Sequence, residues 1–196
     1  MKMTQTYYTD NNSGSSDLKL NKSYTLAYLA QVMIQYSDNG ATNALIDFVG
    51  ADTINDEIDA LGLSVTTLNR YMSGGTSPSL HGLASWGDDY KAGFDNFSTP
   101  RELATFYSKV WTNDGLLSDA SHQRFLDILS LANTLANDLL PAGFDPNSAL
   151  YYNKPGGMTY TGLVGDYAHI PQVGAHENTT EGGIMQFTKS GEVVVY

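Results

Sequence analysis

The chain has 196 residues, 41% of them apolar and 11% aromatic, enough for one domain with a packed core and unlike a fibrous or disordered protein. Ten Lys and Arg against twenty-one Asp and Glu give a formal charge of −11, which repels phosphate backbones and anionic membrane surfaces and excludes nucleic acid as a natural partner. With no Cys, disulfides, thiolate metal sites and cysteine nucleophiles are excluded. The His residues, His81, His122, His169 and His176, show no metal-ligand spacing, so neither metal nor cofactor is expected.

Along the chain, residues 1–22 read as a polar lead-in, with Thr9 to Ser16 almost entirely small and polar. Met1-Lys2-Met3-Thr4-Gln5 lacks the apolar stretch of a signal peptide, and no apolar run approaches the roughly 18 residues of a membrane span. From Leu26 the apolar positions Leu26, Leu29, Ala30 and Met33 recur at helical spacing after Thr25, a good N-cap, and the pattern stops at Ser37. A second helix is predicted from about Ala41 to Phe48, closed by Gly50. A third, marked by Ile54, Ile58 and Leu61, begins near Asp52 and ends at Gly62.

Met72 to Asn96, with five Gly and one Pro, reads as a long loop. Thr99-Pro100-Arg101-Glu102 is a capping box with Pro at the first helical position, continued by Leu103, Phe106, Tyr107 and Val110 on one face. A helix over about Asp119 to Leu131 follows, then a short one over Thr134 to Leu140, stopped by Pro141-Ala142-Gly143. Beyond Asp145 the segments Leu150 to Lys154, Thr161 to Ile170, Gly183 to Thr188 and Glu192 to Tyr196 read as strands of an antiparallel meander. Helices precede strands, so the expected class is α+β in one domain over residues 23–196, with a helical part at 23–140 and a strand part at 149–196.

The residues that carry chemistry lie at the joints of this pattern. Ser37-Asp38-Asn39 juts from a tight turn between two apolar helical patterns, although each of these residues also favours turns for purely structural reasons. Around it stand Met33-Ile34, Ala41-Thr42-Asn43, Leu61-Gly62-Leu63, Thr67-Leu68-Asn69-Arg70 and Ser98-Thr99-Pro100-Arg101-Glu102-Leu103-Ala104; further on comes Asn153-Lys154-Pro155-Gly156-Gly157. In order and spacing these resemble the class A serine β-lactamases and the related penicillin-binding DD-peptidases.

The resemblance implies a helical region packed against an antiparallel sheet with the cleft between them. Ser37 would relay a proton, Asn39 would hold a catalytic Lys and the substrate amide, and Asp38 would brace the turn. Lys154 would meet the substrate carboxylate, and Gly156 and Gly157 would line the substrate, with the Gly157 N–H as an oxyanion donor, a contact worth about 3 kcal/mol of barrier. The substrate would be a β-lactam or the D-Ala-D-Ala end of a wall peptide, and the location extracytoplasmic.

Three departures qualify these implications. Pro155 replaces a Thr or Ser hydroxyl. Met72 occupies the position of the Glu that activates the deacylating water, and a thioether cannot act as a base, which leaves Asp88, Asp89 and Asp95 as substitutes. The nucleophile is missing: the only Ser-x-x-Lys is Ser16-Asp17-Leu18-Lys19, read as a chance match in the polar lead-in. The chain is therefore expected to be a portion of a serine hydrolase, inactive as it stands, with opening strands and helices missing and self-association through an exposed sheet edge as a hazard. The alternative is a non-catalytic module that binds wall peptides or β-lactams.

Overall fold

The computed structural model describes residues 1–7, 17–72, 76–131, 149–160, 176–187, 190 and 193–195. Its helices are α1 (Leu26–Gln35), α2 (Asn39–Val49), α3 (Ala51–Ala60), α4 (Trp86–Lys91), α5 (Pro100–Thr112) and α6 (Asp119–Ser130), and its strands are β1 (Ala149–Tyr160), β2 (His176–Phe187) and β3 (Val193–Val195). The expected helix at 134–140 and strand at 161–170 lie outside the described residues.

Local chemistry explains most of the boundaries. Thr25 caps α1 by accepting from the Tyr28 N–H at 3.1 Å, and Leu29 and Val32 bury one face. α2 begins two residues earlier than its apolar pattern, because the Asp38 carboxylate accepts from the Ala41 N–H at 2.8 Å and sets Asn39 as the first helical residue. Gly62, past the end of α3, takes the left-handed conformation expected of it, φ 76°. α5 starts where the capping box predicts, with Thr99 accepting from the Glu102 N–H at 3.2 Å. Glu102 does not complete the box. Its carboxylate turns instead to the Val65 and Thr66 N–H groups, the latter at 2.7 Å, and to the Thr66 hydroxyl at 2.6 Å.

Three elements differ from the sequence pattern, β2 among them, which begins at His176 and not at the expected Gly183. The six-residue helix α4 interrupts the predicted long loop; it is too short to show a period. β1 does not stop at Lys154 but runs on through Pro155-Gly156-Gly157 to Tyr160. Among the described residues β1 pairs on one side only, antiparallel to β2 in the order β1-β2-β3, and an edge strand tolerates a residue with no N–H to donate.

The core has two centres. One gathers Met3, Tyr7, Leu18, Leu29, Val32, Ala41 and Ala44, so residues of the supposed polar lead-in are in fact integral to the packing of α1 on α2. The other gathers Tyr107, Leu126 and Leu129, with Ile34, Phe106, Trp111, Phe125 and Val193 around them. Helix α1 thus serves both, one face toward α2 and Ile34 toward α5 and α6. α5 lies on β2 and β3, and α6 on β1, so the helices carry the sheet up to the end of α1. Among the described residues no helix is long and apolar enough to cross a membrane.

Candidate active site

The site begins with a backbone constraint. Between the end of α1 at Tyr36 and the cap of α2 at Asp38, the chain must reverse in one residue, and Ser37 does so at φ 52°, in the left-handed region that side-chain-bearing residues avoid. A residue held there costs about 1 kcal/mol or more, offset by fixing the direction of its hydroxyl. Asp38, fully buried, keeps the turn closed through the α2 cap, and the neighbouring Asn39 is half-buried at the first position of that helix.

Opposite the turn stands β1. Lys154 lies 117 residues along the chain from Ser37, yet its ammonium Nζ donates a hydrogen bond to the Ser37 Oγ. Gly156 and Gly157 follow on the same strand, paired with Thr180 and Thr179 of β2, while Lys154 itself faces Gly182. A hydroxyl beside a fixed ammonium is suited to passing a proton and to meeting an anionic group of a ligand.

The segment running into Met72 is held on the same helix as Asn39. Asn43 is fully buried on α2, one turn beyond Asn39, and grips the Met72 peptide from both sides: Oδ1 accepts from Met72 N at 2.7 Å and Nδ2 donates to Met72 O at 3.1 Å. Nδ2 also reaches the Ser77 hydroxyl at 3.3 Å. Asn55 on α3 holds the Leu68 peptide the same way, at 2.8 and 3.0 Å, and Asn96 accepts from the Asn69 and Arg70 N–H groups at 2.8 and 3.0 Å. Side-chain amides and the Glu102 carboxylate therefore satisfy an extended stretch whose one described backbone bridge is Thr67 with Phe97.

Electrostatics settle what the nearby acids can do. Asp95 is paired with Arg70 at 2.7 Å, and the guanidinium also lies 5.0 Å from the centre of the Tyr90 ring. Asp89 is fully buried, accepting from the Ser79 hydroxyl and from the Leu80 N–H at 2.9 Å. The Ser85 hydroxyl and Lys91 ammonium hold the Asp88 carboxyl below its usual range. Each of the acids considered as a substitute base at Met72 is thus already engaged in holding the loop. The Glu102 carboxyl is likewise lowered, first by the Thr66 hydroxyl and then by the backbone N–H groups of Val65 and Thr66. Burial, and then Asp47, push the Tyr7 and Tyr71 hydroxyls up.

The sequence-predicted residues Ser37 and Lys154 are brought into contact, Asn39 follows Ser37 at the start of α2, and Gly156 and Gly157 share the Lys154 strand. Ser16 lies outside the described residues. His81 is exposed, stacked on Phe94 with Nε2 2.9 Å from the Asn69 carbonyl, and among the described residues no group of His, Asp and Glu could hold a metal. Sequence reading quoted Asn43 in the motif but gave it no role, although its spacing of four from Asn39 on a helix placed both on one face.

The sequence model described as the Beta-lactamase enzyme family matches residues 1–190. This chain belongs to that family. Among solved structures it is similar to PBP-A, in a mutant described as an acyl-enzyme complex with penicillin G, at 25% identity and a TM-score of 0.70, over 100% of this chain and 60% of that one. It shares the fold of a β-lactamase from Chitinophaga pinensis, at 18% identity, TM-score 0.69 and coverage of 100% and 64%, and of one from Sphaerobacter thermophilus, at 22%, 0.64, and 100% and 62%. No curated protein matches the chain. The chain spans about 60% of the length of the PBP-A structures, the family being the β-lactamase and DD-peptidase-like fold expected from the Ser37 and Lys154 motifs.

Proposed function

We propose that this chain is a portion of a serine hydrolase that opens β-lactams or cleaves D-Ala-D-Ala wall peptides through an acyl-enzyme, and that it provides the Ser37, Asn39 and Lys154 part of the site but not the attacking serine and its lysine. The observation that carries this reading is the Lys154–Ser37 hydrogen bond, which joins two motifs from opposite ends of the chain. In this reading Ser37 passes a proton to the leaving nitrogen, Asn39 holds the substrate amide, and Lys154 receives the substrate carboxylate. The backbone of Gly156 and Gly157 lines the reacting carbonyl, with the Gly157 N–H as an oxyanion donor. The proposed attacking serine lies outside the chain, whose lone Ser-x-x-Lys at Ser16 is a chance match, and the protein works outside the cytoplasm.

A second reading, a binding module without chemistry, is favoured by Met72 and by the engagement of Asp88, Asp89 and Asp95, which leave deacylation without a carboxylate base. Exposure of the chain to penicillin G, followed by intact-mass analysis and by NMR shifts at Ser37 and Asn39, tests the proposal. The expected result is no covalent adduct, together with saturable shifts that Lys154→Ala weakens at least about tenfold, the loss of one charge-assisted contact. A stoichiometric adduct at Ser16 would overturn the missing nucleophile. Absence of any shift would overturn the site.

A further inference from the structure

The first seven residues do more than fill the core. Tyr7 crosses the start of α2 so closely that a Cβ on Gly40 would lie 2.8 Å from the Tyr7 carbonyl oxygen. Its hydroxyl donates to Asp47 Oδ2 at 2.5 Å, and the same carboxylate faces Tyr71, the residue before Met72. The preceding residue completes a second stitch: the Thr6 carbonyl accepts from the Thr76 N–H at 3.1 Å and from the Ser77 hydroxyl at 3.0 Å. Ser77 is fully buried and is the same hydroxyl that Asn43 reaches.

Asn39, Asn43 and Asp47 recur every four residues, so they form one polar stripe on α2. At one end stands Asn39; in the middle, Asn43 holds Met72 and Ser77; at the far end, Asp47 holds Tyr7 and faces Tyr71. The strap of residues 4–7 is therefore hydrogen-bonded both to this stripe and to the chain beyond Met72. Two segments with few regular backbone partners, residues 4–7 and the chain about Met72 and Ser77, meet on the helix there and are joined to it and to each other.

We propose that Tyr7 is a positioning residue, which through Asp47 and the Thr6–Ser77 contact holds the Met72 wall against the Asn39 end of α2. This rests on the reading of the Ser37 turn and the Met72 segment as walls of the proposed site. The coupling acts through geometry alone. Loss of the Tyr7 hydroxyl loosens a wall that Tyr7 does not itself touch through hydrogen bonds.

The test is amide hydrogen exchange on the chain with Tyr7→Phe, which removes one oxygen and nothing else. Exchange at the Thr76 and Met72 amides is expected to quicken about five- to tenfold, the effect of losing one hydrogen bond, while Tyr107 in α5 is unchanged. Asp47→Asn made alone, with the Tyr7 hydroxyl in place and an acceptor kept for it, leaves exchange at the parent rates. Faster exchange at Thr76 with Met72 unaffected would overturn the proposal, as would no change at either or a uniform change that includes Tyr107. Should Tyr7→Phe fail to fold, Asp47→Ala at an exposed position reports on the same hydroxyl, with the same outcomes. Exchange needs no substrate, so failure of the hydrolase reading shows separately, as absence of any penicillin-induced shift beside the expected exchange pattern.

Discussion

Asn43 gives the sharpest stability prediction. Asn43→Ala removes the contacts at 2.7, 3.1 and 3.3 Å to Met72 N, Met72 O and Ser77 Oγ. At about 1 kcal/mol each the loss is about 3 kcal/mol, which for a chain of this size lowers the melting temperature by roughly 6–12 °C. Asn43→Asp is nearly isosteric and more informative. It keeps the acceptor for Met72 N but sets an oxygen against the Met72 carbonyl, and it places a carboxylate at a fully buried position.

Burial raises the folded pKa of that introduced carboxyl above its unfolded value of about 3.9. A raised folded pKa means that stability is retained below the unfolded pKa and lost as pH climbs through the folded one. Relative to the parent, Asn43→Asp is therefore expected to lose about 4 kcal/mol near neutral pH and about 2 kcal/mol less than that near pH 4, where the protonated group can donate to the Met72 carbonyl. Urea unfolding followed through Trp86 and Trp111 fluorescence, with parent and variant at each pH, measures the difference. A deficit independent of pH, or an Asn43→Ala cost below about 1 kcal/mol, would refute the clamp.

Other outcomes follow from the same geometry. Ser37→Gly should melt only slightly below the parent, because relief of about 1 kcal/mol at φ 52° offsets part of the lost Lys154 contact, while the penicillin response falls about tenfold; calorimetry and titration separate the two. Gly40→Ala should cost about 1–3 kcal/mol, since the obstructing Tyr7 oxygen is backbone and cannot swing aside; chemical unfolding measures it. Glu102 is held below its ordinary 4.5, so its contribution to stability is present above that value and lost as pH falls through the lowered folded pKa. Glu102→Gln should accordingly destabilise the chain at neutral pH and converge with the parent in acid, read from paired melting curves.

Much of the helical scaffold was legible because its signals are local: Thr25, the Thr99 capping box and Gly62 mark ends that elementary backbone chemistry imposes. The contact between Ser37 and Lys154 was legible only through the resemblance, since nothing local joins residues so far apart. The amide grip of Asn43, Asn55 and Asn96 was not legible, because each pairs with main chain, which leaves no complementary residue in the sequence. Met3, Tyr7 and Leu18 were hidden for another reason, their polar neighbours outweighing them in any window. β1 was cut short at Pro155-Gly156-Gly157 because those residues signal a turn everywhere except at an edge strand.

The path of the chain from Val65 to Met72 is written in the helices and the loop beside it and not in its own side chains. Asn43, Asn55, Asn96 and Glu102 hold peptide groups, which every residue type but proline presents alike. The main chain at position 72 is therefore placed by its neighbours, through groups that do not depend on the side chain it carries.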